Sequence, residues 1–564
     1  MIVNALPEKT TTGAEQVIES LDQLEVSVAF GLPGAHNLAI WQALSRSKIR
    51  LIGVRHEQTT VYAADGYVRT GGHLGVALVT TGPGAANTLA ATGEAWSSGS
   101  PVLVLATDIP SHLRRPGTYR GVLHETRDQA GMFDPVVKRA GTVTGPESLS
   151  ADVLAAAELA LSPPTGPVYL GIPTDFLSAR APPAKGSGPH AQPPLPDEAG
   201  IQAAVNLLRE AEVPLICAGG GALRANAGTA VADLAERLGA PVVMTYLAKG
   251  LLPPQHPCAV PATLHHPEVG ALWDAADLVV AIGTDFDGMS TQNWALPKPA
   301  RLLVINIDEQ DGAKSYPPDL TLVGDAGEVT ALLSERIPPT SHLELMRQRL
   351  NELRRKLRDA IAEDDPDALA FLDAMVELVP DDAALIADMC IPGYWLGGFH
   401  PVARPRAFAY PMGWGTLGFG LPASIGAAAA NDRAICVCGD GGFLFACGEL
   451  ATLAQEELPL TVIVVDDGGY GMLRFDQLHA GAEPFGVDLE TPDFVALSNS
   501  FGLPASRVDG FGKPFRKRLS ECLQAQGPSV LVVRAQLRPP PNTSPRWYRS
   551  PRGDGSSDRW RGEL

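Results

Sequence analysis

Short runs of aliphatic residues ending near a glycine recur along this chain, and Ala/Leu/Glu-rich stretches of helical character separate them. Val28-Ala29-Phe30-Gly31, Gly75-Val76-Ala77-Leu78-Val79 and Val102-Leu103-Val104-Leu105 come first. Runs from Pro214 to Gly221, Leu278 to Gly283 and Leu302 to Asp308 follow, then Ala434 to Cys438 and Leu460 to Val465. Apolar runs that do not alternate with polar residues suit strands buried on both faces. Interleaved with helices, such strands predict parallel sheets covered by helical layers. The expected fold class is α/β, with three doubly wound parallel-sheet domains.

Breaks in this texture set the expected boundaries. The first domain spans 1–180. A Pro/Gly/Ser-rich stretch without periodicity, 181–200, reads as a linker. The central domain covers 201–335, opening with a helix from Ile201 to Ala211. A helical linker at 336–366 includes the charged segment Leu343 to Glu363, and the third domain covers 367–535. The tail, 536–564, is rich in Pro, Arg, Ser and Gly and reads as irregular.

Composition narrows the partners. At roughly 150 residues per domain, 564 residues fit three or four domains. A net charge of −19 without Lys/Arg clusters argues against nucleic acid and anionic membranes. Seven cysteines (217, 258, 390, 436, 438, 447, 522) are scattered and contain no C-x-x-C, the pattern of a reducing compartment. Cys436 and Cys438 alternate in a strand-like run and read as core or strand-face thiols. Met1-Ile2-Val3-Asn4-Ala5 has neither the positive segment nor the apolar core of a signal peptide. No run approaches the ~18 apolar residues of a membrane span. A soluble, cytoplasmic protein is expected.

Two glycine-rich stretches carry the first chemistry. Gly439-Asp440-Gly441-Gly442 lies between a strand-like run and a helix-like stretch, Phe443 to Leu453. Asp466-Asp467-Gly468-Gly469 ends the next run. Parallel strands joined by a helix would set Asp440 and Asp467 side by side at the carboxyl edge of one sheet, where open α/β sheets bind ligands. Carboxylate oxygens suit Mg²⁺, whose shell is completed by phosphate and water. Glycines let backbone N–H groups and a helix N-terminus face phosphate oxygens. The pair reads as a metal-diphosphate clamp.

Further candidates lie upstream. Ala29 to Asn37 is a strand followed by a turn holding Pro33 and His36. Val54-Arg55-His56-Glu57-Gln58 precedes a helix through Ala63 to Arg69, and Thr80 to Asn87 closes another strand. His56 is expected to pack or cap a helix. His265-His266 reads as an exposed loop pair. Gly219-Gly220-Gly221 reads as a strand-to-helix turn in preference to a nucleotide loop.

These stretches, with Gly415-Thr416-Leu417-Gly418-Phe419-Gly420-Leu421-Pro422-Ala423, resemble the thiamine diphosphate enzymes of the acetolactate synthase, pyruvate decarboxylase and benzaldehyde lyase superfamily. The resemblance covers nearly the whole chain in the family's domain order: pyrimidine-binding, central, diphosphate-binding. It implies thiamine diphosphate and Mg²⁺ as cofactors. Glu57 matches the glutamate that holds the cofactor's aminopyrimidine nitrogen and promotes its activation. Leu417 matches the apolar wedge beneath the bent cofactor. Asp440 and Asp467 match the metal ligands, with Gly469 supplying a backbone carbonyl. Pro33, Asn87, Gly415, Gly441, Gly442, Tyr470, Gly471 and Met472 complete the implied cofactor contacts. The family encloses each cofactor between the first unit of one subunit and the third of another, which implies a homodimer or homotetramer.

Departures from the family's patterns bear on the reaction. Asp467 stands where the family usually has Asn. The arginines of the flavin- and substrate-contacting segment of acetolactate synthases become Asp285 and Met289, and their tryptophan becomes Asp476. Loss of an arginine removes a bidentate partner for a second keto acid's carboxylate. Both changes count against branched-chain amino acid synthesis and against FAD. Pyruvate decarboxylases pair tandem histidines with a downstream glutamate, whereas this chain keeps His124 followed by Glu125 and has Leu473 at the later position. Pro33-Gly34-Ala35-His36 is similar to the histidine motif of benzaldehyde lyase-like carboligases, and His124 takes the place of their glutamine. Both imidazoles are then expected to face the reacting carbon and move protons.

The expected function is that of a carboligase or lyase. A 2-keto acid is decarboxylated, and the acyl anion equivalent adds to an aldehyde or keto acid acceptor. The alternatives are a 2-keto acid decarboxylase releasing an aldehyde and a cofactor-binding protein without turnover.

Overall fold

The computed structural model describes residues 10–541 except 73, 116, 185–192 and 265. The N-terminal pentapeptide, Trp547, Tyr548 and most of the 536–564 tail lie outside the described residues, as does His265. The apolar runs form three parallel sheets. The first has β1 (Val28–Gly31), β2 (Arg50–Gly53), β3 (Gly75–Val79), β4 (Val102–Asp108), β5 (Arg139–Thr142) and β6 (Val168–Pro173), in the order β2-β1-β3-β4-β6-β5. The second has β7 (Pro214–Ala218), β8 (Val242–Met244), β9 (Leu278–Ile282), β10 (Leu302–Asn306) and β11 (Leu320–Val323), in the order β8-β7-β9-β10-β11.

The third sheet comprises β12 (Ala384–Ala387), β13 (Phe408–Ala409), β14 (Ala434–Gly439), β15 (Leu460–Asp466), β16 (Ala505–Asp509) and β17 (Ser529–Arg534). Its order, β13-β12-β14-β15-β17-β16, repeats the connectivity of the first sheet. β3, β4, β7, β9 and β10 are buried at every position, as strands covered on both faces must be. Cys436 and Cys438 are fully buried in β14.

The first and third units share one apolar core. Val104 and Phe30 belong to the same cluster as Ile386, Cys436 and Val462. Small residues make this possible where helix Glu57–Gly71 crosses helix Gly420–Ala430. A Cβ at Gly426 would lie 1.7 Å from the Ala63 carbonyl oxygen, and one at Gly66 would lie 2.0 Å from that of Ala423. The seam is also charged: Arg69 lies 2.8 Å from Asp65 and 3.0 Å from Glu94, and its other nitrogen donates to the Tyr410 carbonyl. The central unit has a separate core. Helix Leu343–Asp364 adds Met346, Leu350, Leu353 and Leu357 to that core, a stripe at helical spacing in an otherwise charged segment.

Two local expectations change. The stretch Phe443 to Leu453 is not one helix: Asp440–Leu444 ends, a 3₁₀ turn at Cys447–Glu449 intervenes, and Leu450–Glu456 begins anew. His266 is not an exposed loop residue. It caps helix Pro267–Ala275 by accepting from the Glu268 N–H, packs edge-on to Phe399, and burial lowers its pKa to about 4. The expectation for His56 holds: it is the N-cap of the helix that Glu57 opens.

Candidate active site

β14 and β15 are parallel neighbours, with Gly439 opposite Val465. Asp440 therefore opens the helix after β14, Asp467 follows β15, and both sit at the carboxyl edge of one sheet. Asp440 is buried, and its Oδ1 accepts from the Gly441 N–H at 2.9 Å. Asp440 Oδ2 and Asp467 Oδ1 are buried without a hydrogen-bond partner. Burial and then the Asp467 charge push the Asp440 carboxyl up to about 7. Burial pushes Asp467 up to about 6, and Arg474, 3.9 Å away, only partly offsets this. Two neighbouring carboxylates with orphaned oxygens are an incomplete polar site, of a kind that a divalent cation would complete.

The backbone around the pair is built for close approach. Gly469 has φ 150°, which side-chain-bearing residues rarely adopt, and a Cβ there would meet the Val487 carbonyl at 2.3 Å. A Cβ at Gly441 would strike the Tyr470 ring at 2.8 Å. A cavity of about 570 Å³ opens over this edge, within the usual range for a small-molecule site. Gly415, Leu417, Asp440, Gly441, Gly442, Asp467, Gly469, Tyr470, Gly471 and Met472 all line it. No group of three or more His, Cys, Asp or Glu side chains is placed to hold a metal among the described residues. A cation at this edge must draw its remaining ligands from backbone carbonyl, phosphate or water. The residues fit a metal-diphosphate group.

Sequence reasoning missed several contributors. Asp388, in the loop after β12, is fully buried, and burial pushes its carboxyl up to about 6. It accepts from the N–H groups of Met389 (2.7 Å) and Gly418 (3.2 Å), holding the Leu417 turn in place. Tyr246 and Asn293 reach the cavity from the central unit. A lone aspartate after an apolar run gave no signal of its own, and the central-unit residues reach the cavity only through tertiary packing.

The upstream candidates form a second group. Asn87 Nδ2 donates to Glu57 Oε2 at 2.9 Å. The turn carrying Glu57 is anchored by Glu449 of the third unit, whose Oε1 accepts from the Arg55 and His56 N–H groups, each at 3.0 Å. Glu449 is buried and takes a further bond from the Thr452 hydroxyl, so Glu57 is positioned by a carboxylate 392 residues downstream of it in the chain (449 − 57).

His36 and His124 meet in this group, with ring centroids 5.2 Å apart and planes at 61°. His36 Nδ1 lies 2.8 Å from the Thr81 hydroxyl, and Thr81 donates to Thr107 at 3.0 Å. Thr81 has one proton and gives it to Thr107, so it accepts from His36. Neutral His36 thus carries its free lone pair on Nε2. Burial and then the His124 charge lower the His36 pKa. His124 has φ 68°, a left-handed backbone unusual for a side-chain-bearing residue, and its buried Nδ1 has no hydrogen-bond partner.

Pro33, His36, Glu57, Asn87 and His124 do not line the clamp cavity of their own chain. The fold gathers the candidates at two places.

Three family models match: the thiamine pyrophosphate enzyme N-terminal TPP binding domain over residues 11–132, the central domain over 201–333, and the C-terminal TPP binding domain over 390–533. The chain is 35% identical over 503 residues to the "Probable 2-ketoarginine decarboxylase AruI" of Pseudomonas aeruginosa, covering 88% of this chain and 89% of that protein. It is 31% identical over 548 residues to the "Probable acetolactate synthase large subunit" of Methanocaldococcus jannaschii, covering 92% and 91%. An X-ray structure from Mycobacterium smegmatis, described as a thiamin diphosphate-dependent enzyme, superposes with TM-score 0.77 at 23% identity, over 94% of this chain and 100% of that one. That likeness extends the fold to nearly the full length. With three domain models matched in order and a relative at 35% identity along most of its length, the chain belongs to the thiamine pyrophosphate enzyme family.

Proposed function

We propose that this chain is a thiamine diphosphate- and Mg²⁺-dependent lyase that removes carbon dioxide from a 2-keto acid and joins the acyl unit to a carbonyl acceptor. The observation that carries this reading is the His36–His124 pair. Adding an acyl unit to a carbonyl turns an oxygen into an alkoxide, which needs a proton, and cleavage needs the reverse. A neutral His36 with Nε2 free can take a proton while the adjacent His124 gives one.

In this reading Asp440, Asp467 and the Gly469 carbonyl hold Mg²⁺, and the Gly441–Gly442 and Tyr470–Met472 backbone faces the diphosphate. Bound thiamine diphosphate supplies the electron sink for loss of carbon dioxide. Glu57, oriented by Asn87, holds a proton at the aminopyrimidine nitrogen, and Pro33, Gly415 and Leu417 line the space for the rings. The Asp285 carboxylate pairs with Lys314 at 2.6 Å, so this position presents no free cation to a second keto acid. That favours an aldehyde acceptor.

Each complete site draws on two chains, as a homodimer or homotetramer. Support comes from the first-unit candidates lying outside their own chain's clamp cavity. Exposed Trp414 and Leu473 at its rim are apolar surface for such a partner to cover. A cytoplasmic location accords with the scattered cysteines. No helix among the described residues is long and apolar enough to cross a membrane.

A second reading, decarboxylation ending in protonation and aldehyde release, is favoured by the name of the relative at 35% identity, a 2-ketoarginine decarboxylase. Reconstitution with thiamine diphosphate and Mg²⁺, then incubation with pyruvate, benzoylformate and 2-ketoarginine with and without benzaldehyde, separates the two. Hydroxyketone product supports ligation, and aldehyde alone supports the second reading. Absence of carbon dioxide release across a broad keto acid panel overturns both.

A further inference from the structure

A second cavity lies away from the clamp, where the central unit, the connecting helix and the third unit meet. Its volume is about 310 Å³, enough for a small organic molecule. The segment from Met244 to Thr263 forms one wall, Arg354 of helix Leu343–Asp364 another, and the turn from Gly398 to Val402 the third. Among the described residues no Asp or Glu side chain lines it, in a protein whose net charge is −19.

Three basic side chains do line it. Half-buried Lys249 donates to the Gly397 carbonyl at 2.8 Å and sits 5.9 Å from the Phe408 ring centre. Arg354 donates to the Pro254 and Ala259 carbonyls at 3.0 and 2.8 Å. Arg354 also donates to Asn351 Oδ1 at 2.7 Å, and among the described residues no anion offsets the burial of either cation. His400 is 93% buried (7% exposed), and its Nδ1 has no hydrogen-bond partner. Desolvation is uncompensated here: burial brings Lys249 down to about 7, and burial with the Lys249 charge brings His400 down to about 3. A half-buried amine without an anion is costly, and a carboxylate restores the missing partner. The remaining wall is apolar, with Leu252, Val260, Phe399 and Val402.

We propose that this cavity binds a small organic carboxylate with a short apolar body, its carboxylate on Lys249 and Arg354 and its body against Phe399 and Val402. The apolar remainder of the wall suits an organic body, which favours an organic carboxylate over inorganic phosphate. The site also has a physical link to the clamp. Helix Ile391–Phe399 lines the clamp cavity with Ile391, Pro392 and Tyr394 and ends at Phe399 and His400 in the second cavity. Tyr394 in the first cavity and Gly398 in the second are four residues apart, roughly 6 Å at about 1.5 Å per residue along one rigid element.

The test uses the full-length protein and 4-bromobenzoate, whose bromine reports position by anomalous scattering in soaked crystals. Calorimetry without thiamine diphosphate measures affinity, so the result does not depend on the proposed reaction. Bromine density within the second cavity is expected. Lys249→Met, which keeps the stem and removes the charge, should weaken binding about tenfold or more, the scale of a lost charged hydrogen bond. Neutral 4-bromobenzamide should bind wild type about tenfold more weakly. His400→Leu serves as a second variant if Lys249→Met fails to fold. Inorganic phosphate should not compete. Bromine only in the clamp cavity, no detectable binding, equal affinity for the amide, or phosphate displacing the probe overturns the proposal.

Discussion

His124 sits in a left-handed backbone conformation with its ring 5.2 Å from that of His36, and the Thr81–Thr107 hydroxyl pair orients His36 from behind. Strained backbone holding one imidazole against another is an arrangement that packing alone does not require. Burial comes first and the His124 charge second in keeping the His36 pKa below its ordinary value. His124→Gln removes the second cause, so the His36 pKa rises. Neutral His36 is then lost at higher pH on acidification, and the acid limb of kcat/KM moves up in pH. A pH–rate profile checks this; an unmoved or lowered limb removes His36 from proton transfer.

Glu57→Gln should lower kcat by roughly two to four orders of magnitude, the scale of a general acid or base. Its neighbours supply a complementation test, because Glu57 and Asp440 do not line one cavity within a chain. Mixing Glu57→Gln chains with Asp440→Ala chains should restore about a quarter of wild-type activity, by random pairing in a two-fold dimer. No recovery in mixed dimers verified by mass spectrometry would place both residues in the same chain's site.

Mg²⁺ with thiamine diphosphate at about a hundred times their Kd should stabilise the protein by about 2.7 kcal/mol, since both bind the folded state. Asp440→Ala, which removes the ligand oxygens altogether, should abolish most of this gain. Asp467→Asn should retain it, because an amide oxygen also serves as a metal ligand. Thermal melts with and without EDTA provide the measurement, and equal gains in all three proteins would remove Asp440 as a ligand.

Gly426→Ala places a methyl 1.7 Å from the Ala63 carbonyl oxygen. The helices must separate, at a cost of about 1–3 kcal/mol or more. Gly448→Ala meets nothing within 4 Å and serves as the control. Urea titration compares them, and equal midpoints would mean that the seam adjusts freely.

The three sheets were legible because uninterrupted apolar runs and their alternation with helices are local properties of the chain. The placing of Asp440 and Asp467 at one sheet edge was legible for the same reason: each follows a strand, and the two strands are neighbours. The break after Leu444 was not, because Phe443 to Leu453 keeps helical composition through the turn. His266 was misread as exposed because the approach of Phe399 depends on packing between two units.

By itself, the sequence determined the α/β class, the family and the identities of the acidic, glycine and histidine residues at the candidate site. Hydrophobic periodicity and backbone-specific residues act within a few positions, so they can be read along the chain. Tertiary structure alone decided that Glu449 anchors the Glu57 turn, that Asp388 sits beneath Leu417, that His36 and His124 face each other, and that Lys249 lines a second cavity. Those relations join residues far apart in sequence, and only the packing of one unit on another brings them within hydrogen-bond or van der Waals reach.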